Sequence, residues 1–305
     1  MEYSALFSRG WSIIWRNKWM WLLAFIPAMA GLITFGFNAV LQRATAGGTY
    51  GAGLILQLSC LQFIVAFFVG LIGLVTRGGL IAAVDGVDRG ESYSFGRAFG
   101  DGRRKIGPLL GMSLLLVGGF TVLVIGMALI ALIPVLIGAY ANRPELNEAL
   151  IAGMSLLGIL GFCCLTAFFV LAAVVLNLVY PFAYRGIMLR DMGVRKSIGH
   201  GWKVLRGNLG EIVLLALPFF LLRVLLTGLY SAVALRGSLA AMLSGDPTAV
   251  MNALTWQFIA LYVIWSLIYA VLLAWQSATF TLGYRVWTGK GALEDEESLG
   301  VEWTP

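Results

Sequence analysis

Apolar positions dominate the pattern. Six long apolar runs cover roughly residues 19–41, 54–75, 109–137, 149–179, 212–235 and 256–279. A membrane-crossing helix needs about 20 largely apolar residues, so each run predicts one span. The third and fourth runs exceed one crossing and predict tilt or protrusion. Pro27, Pro134 and Pro218 lie in or near these runs, where packed neighbours can satisfy the backbone groups that a proline frees. Ahead of each pair of runs the pattern changes to a helical period of apolar and basic residues. In the first such stretch Tyr3, Leu6, Phe7, Trp11 and Ile14 share a face, opposite Ser8, Arg9, Ser12 and Arg16. In the third, Val194, Ile198, Trp202, Leu205 and Leu209 oppose Arg195, Lys196, His200 and Lys203. The second is weaker, with Phe95, Phe99 and Ile106 against Arg97, Asp101 and Arg104.

The first and third stretches share Gly-Trp-x5-Asn without a gap, as Gly10-Trp11 to Asn17 and Gly201-Trp202 to Asn208. The second keeps the glycine, Gly102, and lacks the Trp and the Asn. The expected fold class is an all-α integral membrane protein. Its six transmembrane helices form three repeats, each a basic amphipathic interfacial helix followed by a helical hairpin. The repeat units are about 3–89, 94–182 and 190–288. Together they make a polytopic domain over 1–288, with an acidic disordered tail over 289–305. Helices of this kind lie in the headgroup plane with the basic face toward anionic lipid. Trp11, Trp15, Trp19, Trp21 and Trp202 suit an interfacial aromatic belt.

Composition sharpens the class. The 305 residues are 60% hydrophobic and 12% charged, with a mean hydropathy of +0.89. Soluble domains carry about 25% charged residues. The counts exclude a soluble enzyme, a disordered chain, a secreted disulfide scaffold and a nucleic-acid binder. With 3 Cys, all in apolar runs, and 1 His, neither a disulfide framework nor an ordinary metal site is expected, and no cofactor is implied.

The net charge of +6 matters through its placement. One set of connections carries Arg9, Arg16 and Lys18; Arg77, Arg89, Arg97, Arg103, Arg104 and Lys105; Arg185, Arg190, Arg195, Lys196, Lys203 and Arg206; and Arg285 with Lys290. The other set holds Arg43, Arg143 and Arg236. The positive-inside rule then predicts both termini on the cytoplasmic side of a bacterial inner membrane. The apolar run begins only after Lys18 and no small-residue cleavage site follows, so the first span is expected to be a retained anchor.

Several of these residues carry a resemblance. Gly10-Trp11 with Trp15-Arg16-Asn17-Lys18-Trp19 is similar to the N-terminal signature of bacterial membrane proteins related to the glycerophosphoryl diester phosphodiesterase membrane domain and the YciC-like proteins. Ser94-Phe95-Gly96-Arg97-Ala98-Phe99 resembles their second loop, and Pro181-Phe182-Ala183-Tyr184-Arg185-Gly186 with Ser197-Ile198-x2-Gly201-Trp202 and Asn208 resembles a later segment. The resemblance implies a multi-spanning fold of poorly defined function. In family members fused to an enzyme, catalysis belongs to a separate soluble barrel. This chain runs to Pro305 without one, so phosphodiesterase activity is not expected.

Candidate chemistry is sparse. Arg223 sits inside the fifth run, where a central Arg costs roughly 2.5–3.5 kcal/mol on insertion scales. Asn177, Gln57, Gln62, Gln257 or a lipid phosphate are the expected partners, and Arg223→Leu is expected to abolish ligand binding. Glu211 opens the fifth span, where a carboxylate suits the helix dipole; a coupled proton site is the sharper alternative. Asp85, Asp88 and Glu91 lie near Arg89 and Arg97 and read as a solvated, salt-bridged loop. His200 reads as interfacial. Gly78-Gly79, Gly118-Gly119, Gly153, Gly158 and Gly161 read as close-packing or bending points. No phosphate loop or nucleophile elbow is present in the sequence.

The expected function is therefore non-enzymatic engagement of anionic membrane lipids. Arg9, Arg16, Lys18, Arg103, Arg104, Lys105, Arg195, Lys196, Lys203 and Arg206 are the headgroup or partner contacts. Trp11, Trp15, Trp19 and Trp202 are the anchors, and Arg223 with Asn177 are the intramembrane polar candidates. The alternatives are a transporter or permease for a small or amphiphilic substrate, and an assembly subunit that meets other membrane subunits.

Overall fold

A computed structural model describes residues 3–29, 33, 52–141, 148–243 and 247–289. It is all-helical, with no strand among the described residues. In chain order the helices are α1 (Tyr3–Arg16), α2 (Trp19–Met29), α3 (Ala52–Asp88), α4 (Phe95–Arg104) and α5 (Ile106–Ala141). They continue as α6 (Glu148–Arg190), α7 (Val194–Gly207), α8 (Leu209–Leu243) and α9 (Pro247–Trp287).

Five stretches are long and apolar enough to cross a membrane: Leu56–Asp88, Ile106–Leu129, Thr166–Arg190, Leu209–Val233 and Ala260–Trp287. Their surfaces are those of helices whose solvent is hydrocarbon. Phe63 is 75% exposed, and Val122 and Leu225 are each 69% exposed. In water such a surface would not stay dispersed. The remaining expected span, 19–41, is described only as the short apolar helix α2, since 34–41 lie outside the described residues. So do Arg43, Arg143 and Lys290 and the tail beyond Gly289.

Three span ends differ from the sequence expectation. The spanning helices run on past their apolar cores, so Arg77, Arg185, Arg190 and Arg285, expected in connections, are helical. Gly118, Gly119 and Gly161 were expected at close contacts, yet a methyl added at any of them meets open space. Gly153 and Gly158 have side-chain environments outside the described set.

The buried centre lies where the short helices α1, α4 and α7 dock on the ends of the long ones. Ile14, Met20, Leu23, Leu80, Val84, Ala98 and Ala274 join α1, α2, α3, α4 and α9. Phe182, Leu205, Ile212, Leu215, Phe219 and Tyr284 join α6 to α9. Leu109, Met112, Ala183 and Ile187 join α3, α5 and α6 around Ile81.

Each docking is made at a glycine. A Cβ on Gly10 would lie 2.7 Å from Thr279 Oγ1 and 3.2 Å from the Thr279 backbone nitrogen. On Gly201 it would lie 3.0 Å from Ala183 N and 3.1 Å from the Val179 carbonyl. On Gly102 it would run into the Val75 carbonyl oxygen. Without a side chain there, helix axes approach closely.

The shared asparagines also do one job twice. Asn17 Nδ2 donates to the Ile13 carbonyl at 2.9 Å and Asn208 Nδ2 to the Val204 carbonyl at 3.1 Å. Each side chain gives a second donor to a last-turn carbonyl that already accepts from the asparagine's own backbone N–H, at 3.1 Å for Ile13 and 3.2 Å for Val204, and each asparagine carbonyl accepts from the start of the next helix, from Met20 and from Ile212, at 2.9 Å.

The expected apolar faces meet protein in large part, through Tyr3, Leu6, Phe7 and Ile14 of α1 and Val194, Ile198 and Leu205 of α7. The short helices bury their glycine face: Gly10, Ile13 and Ile14 in α1, and Ser197, Gly201, Val204 and Leu205 in α7. Trp11, Trp15 and Trp202 remain 38%, 50% and 46% exposed. The glycines let the helices approach, and the aliphatic side chains beside them, Ile13, Ile14, Val204 and Leu205, fill the contact.

Candidate functional site

The ends of α3, α6 and α9 converge on one region, and charged residues from every element meet there. Asp88, in the last turn of α3, has a side chain only 1% exposed. A carboxylate at a helix C-terminus opposes the helix dipole, and two guanidiniums offset it. Arg9 Nε of α1 donates to Asp88 Oδ1 at 2.7 Å, and Arg285 Nη1 of α9 to Asp88 Oδ2 at 2.6 Å. Asp85, one turn earlier, pairs with Arg89 at 2.6 Å and lies 3.7 Å from Arg285. The solvated-loop expectation is therefore corrected for Asp85 and Asp88: both are helical, and Asp88 is a buried three-helix tie. It holds for Glu91, whose partners Arg97 at 2.7 Å and Arg89 at 3.6 Å are half exposed.

Past Asp88 the chain turns through Gly90, whose φ of 76° suits glycine. Ser94 then caps α4, its Oγ accepting from Arg97 N at 3.3 Å. The turn lays the Tyr93 ring on Gly86 and under the Arg97 guanidinium. Tyr93 donates its hydroxyl to Asp101. Burial, and then the Asp101 carboxylate, push the phenol up to about 12.

On the α6 side, Lys105 pairs with Asp191, and Arg190 Nη2 donates to the Thr288 carbonyl at 2.9 Å. Arg190 Nε is buried and has no hydrogen-bond partner. His200 Nε2 and the Tyr284 hydroxyl are 2.8 Å apart. Burial, followed by the charges of Arg190 and Lys203, pushes the imidazole below its ordinary range. His200 is thus tied to α9 rather than turned outward with the basic face.

These groups enclose a cleft of about 270 Å³, lined by Asp85, Arg89, Tyr93, Asp101, Arg104, Lys105, Arg190, Tyr284, Arg285 and Thr288, with Ala82, Met188 and Leu189 as its apolar wall. Cations outnumber carboxylates along it, so the arrangement can hold an anion. Among the described residues no group of three or more His, Cys, Asp or Glu is placed to bind a metal ion, and Cys60, Cys163 and Cys164 are exposed thiols.

No family model, curated protein or solved structure matches the chain.

The sequence-predicted contacts divide into two groups. Arg9, Arg104 and Lys105 belong to the converging cluster. Arg16, Lys18, Arg103, Arg195, Lys196, Lys203 and Arg206 are exposed on or beside the short helices, with Lys18 over the Trp15 ring at 5.5 Å. Trp19, expected as an anchor, is half buried against the core. Among the described residues the amide that meets Arg223 is Gln276, which was not among the expected partners. Arg223 Nη2 donates to Gln276 Oε1 at 3.0 Å and its guanidinium lies 5.3 Å from the Tyr269 ring, both on α9. Glu211 accepts from Trp287 Nε1 at 2.6 Å. The Asn177 and Gln257 side chains lie outside the described set.

Sequence reasoning missed Asp88, Arg190, Arg285 and the buried Arg185. Arg185 is 3% exposed. It donates to the Pro181 carbonyl at 2.8 Å, the Ser277 carbonyl at 2.9 Å and Thr281 Oγ1 at 3.1 Å, clamping α6 to α9. The signal available was the pair of Tyr-Arg dipeptides, Tyr184-Arg185 and Tyr284-Arg285, at the ends of apolar runs. Arg185→Lys is expected to lower stability by roughly 2 kcal/mol, because one ammonium cannot span three acceptors set for a planar fork. Thermal melting in detergent checks this.

Proposed function

We propose that this chain is a non-enzymatic protein of a bacterial cytoplasmic membrane, with both termini cytoplasmic, that holds anionic lipid headgroups against a cationic belt. The belt is built by three similar units, each an amphipathic interfacial helix with a helical hairpin, akin to the glycerophosphoryl diester phosphodiesterase membrane domain and YciC-like proteins. The single observation that carries the reading is the charge left over after internal pairing among the described residues. Asp85, Asp88, Glu91, Asp101, Asp191 and Glu211 each accept from a donor within the chain. Arg16, Lys18, Arg103, Arg195, Lys196, Lys203 and Arg206 stay exposed, next to exposed Trp11, Trp15 and Trp202. Surplus cations beside interfacial tryptophans suit an anionic headgroup layer.

Native mass spectrometry of the protein from mixed-lipid nanodiscs tests the proposal. Phosphatidylglycerol should be retained over phosphatidylcholine. Combining Arg195→Gln, Lys196→Gln, Lys203→Gln and Arg206→Gln should weaken that preference by about 1 kcal/mol per charge removed. Equal retention of the two lipids by the unsubstituted protein would overturn it.

A further inference from the structure

The cleft between the ends of α3, α6 and α9 has a more specific chemistry than the outer belt. Arg89, Arg285 and Lys105 are neutralised by Asp85, Asp88 and Asp191. Arg104 and Arg190 also line it, and neither makes an ion pair among the described residues. Arg190 goes further, because its Nε is shut off from solvent with nothing to donate to. A buried charged donor left unsatisfied is costly and calls for an explanation, which an anion bound to the same guanidinium would supply. At about 270 Å³ the cleft is small for a drug-sized ligand but ample for a phosphate group. Its depth also fits. The spanning stretches end at Asp88, Arg190 and Trp287, so the cleft opens where apolar surface gives way to polar.

We propose that this cleft binds a phosphate monoester, with Arg190 and Arg104 as the residues that hold the dianion. Among the described residues these two guanidiniums have no carboxylate partners and their planar forks suit phosphate oxygens, while Asp101 on the same lining accepts from the Tyr93 hydroxyl. The dianion comes either from a lipid headgroup or from a soluble phosphate. This inference rests on the headgroup-level placement proposed above, and it assigns the cleft a selectivity for monoesters over the diesters that the outer belt would also attract.

The only histidine in the chain provides a reporter. His200 faces Arg190 from α6, Lys203 from α7 and the Tyr284 hydroxyl from α9. Burial holds its pKa down, and the Arg190 charge adds to that. A dianion on Arg190 cancels that repulsion, so the His200 pKa should rise when the cleft fills.

The experiment uses the full chain in phosphatidylcholine nanodiscs with labelled histidine. One arm adds inorganic phosphate at constant ionic strength, and the other replaces part of the lipid with phosphatidic acid or, for comparison, phosphatidylglycerol. Saturable binding of phosphate with a rise in the His200 pKa identifies a soluble source. Selective retention of phosphatidic acid over phosphatidylglycerol, with the same rise and no response to phosphate, identifies a lipid source. In either case Arg190→Gln should weaken binding about tenfold or more and abolish the His200 response. Arg104→Gln, at an exposed position, should weaken it without disturbing the fold. Arg195→Gln with Lys196→Gln should leave cleft binding unchanged. If both cleft variants bind phosphate and phosphatidic acid as tightly as the unsubstituted protein, the inference is overturned. Phosphatidylglycerol retention that still depends on the outer α7 cations would in that case leave the belt proposal standing.

Discussion

Gly102→Ala is expected to pry α4 off α3 and to be the most damaging single-methyl change in the protein. The added Cβ would overlap the Val75 carbonyl oxygen and lie 2.9 Å from Gly79 N. Both are backbone atoms of a helix that continues to Asp88, so neither can swing aside. Overpacking costs typically about 1–3 kcal/mol, and the rigid neighbours put this substitution at or above the upper end. Of the other two docking glycines, Gly10→Ala should cost more, since its nearest neighbour is the Thr279 hydroxyl at 2.7 Å, already committed to the Trp275 carbonyl at 3.0 Å. Gly201→Ala, with nothing closer than 3.0 Å, should be mildest. Gly96→Ala and Gly100→Ala in the same helix as Gly102 meet nothing within 4 Å. They should be neutral or slightly stabilising, because alanine favours helix by about 1 kcal/mol over glycine. Tryptophan-fluorescence melts of the purified protein give the ranking. A Gly102→Ala protein that melts with the Gly100→Ala control would refute the docking geometry.

That ranking could not be written from sequence, although the positions could. Gly10, Gly102 and Gly201 stand out because a close helix approach leaves one residue type at one position, and the need recurs three times. Asn17 and Asn208 stand out likewise, because ending a short helix before an apolar run is a local task with a local solution. Five of the six expected spans are legible from composition alone, since hydrocarbon demands about 20 apolar residues in a row. What sequence hides is pairing across distance. Arg9 and Asp88 are 79 residues apart, Asp88 and Arg285 are 197 apart, and nothing local distinguishes Asp88 from the solvated Glu91. The same limit applies to Arg223, whose amide partner Gln276 is 53 residues away. Helix phase is legible in large part, with the tryptophans as the exception. Trp11 and Trp202 belong to the expected apolar face yet stay exposed, beside the glycines at which another helix approaches. Arg185 was assigned to a connection because its apolar run ends before it, yet α6 continues through Pro181 to Arg190.

Asp88→Asn should destabilise the fold by about 3–5 kcal/mol, as expected when one partner of a buried ionic cluster is removed. The substitution keeps the shape of the side chain and deletes its charge. Arg285, only 9% exposed, then faces Arg9 with no carboxylate between them, and the surviving contact to Asp85 is 3.7 Å long. Three elements loosen together, because Asp88 is where α1, α3 and α9 are tied. Arg9→Gln should cost less, since that side chain is 26% exposed and water can replace part of what it gives. Asp85→Asn should cost about 1 kcal/mol or less, as its main partner Arg89 is 53% exposed. A double-mutant cycle between Asp88 and Arg285 separates the pair from the general effect of losing charge. Their coupling should exceed that of Asp85 with Arg89, and the Asp88→Leu, Arg285→Met combination should recover much of the loss because an apolar pair has no desolvation cost. A melting temperature for Asp88→Asn indistinguishable from that of Asp85→Asn would mean that Asp88 is solvated after all, and that the convergence of the three helix ends is held by apolar packing alone.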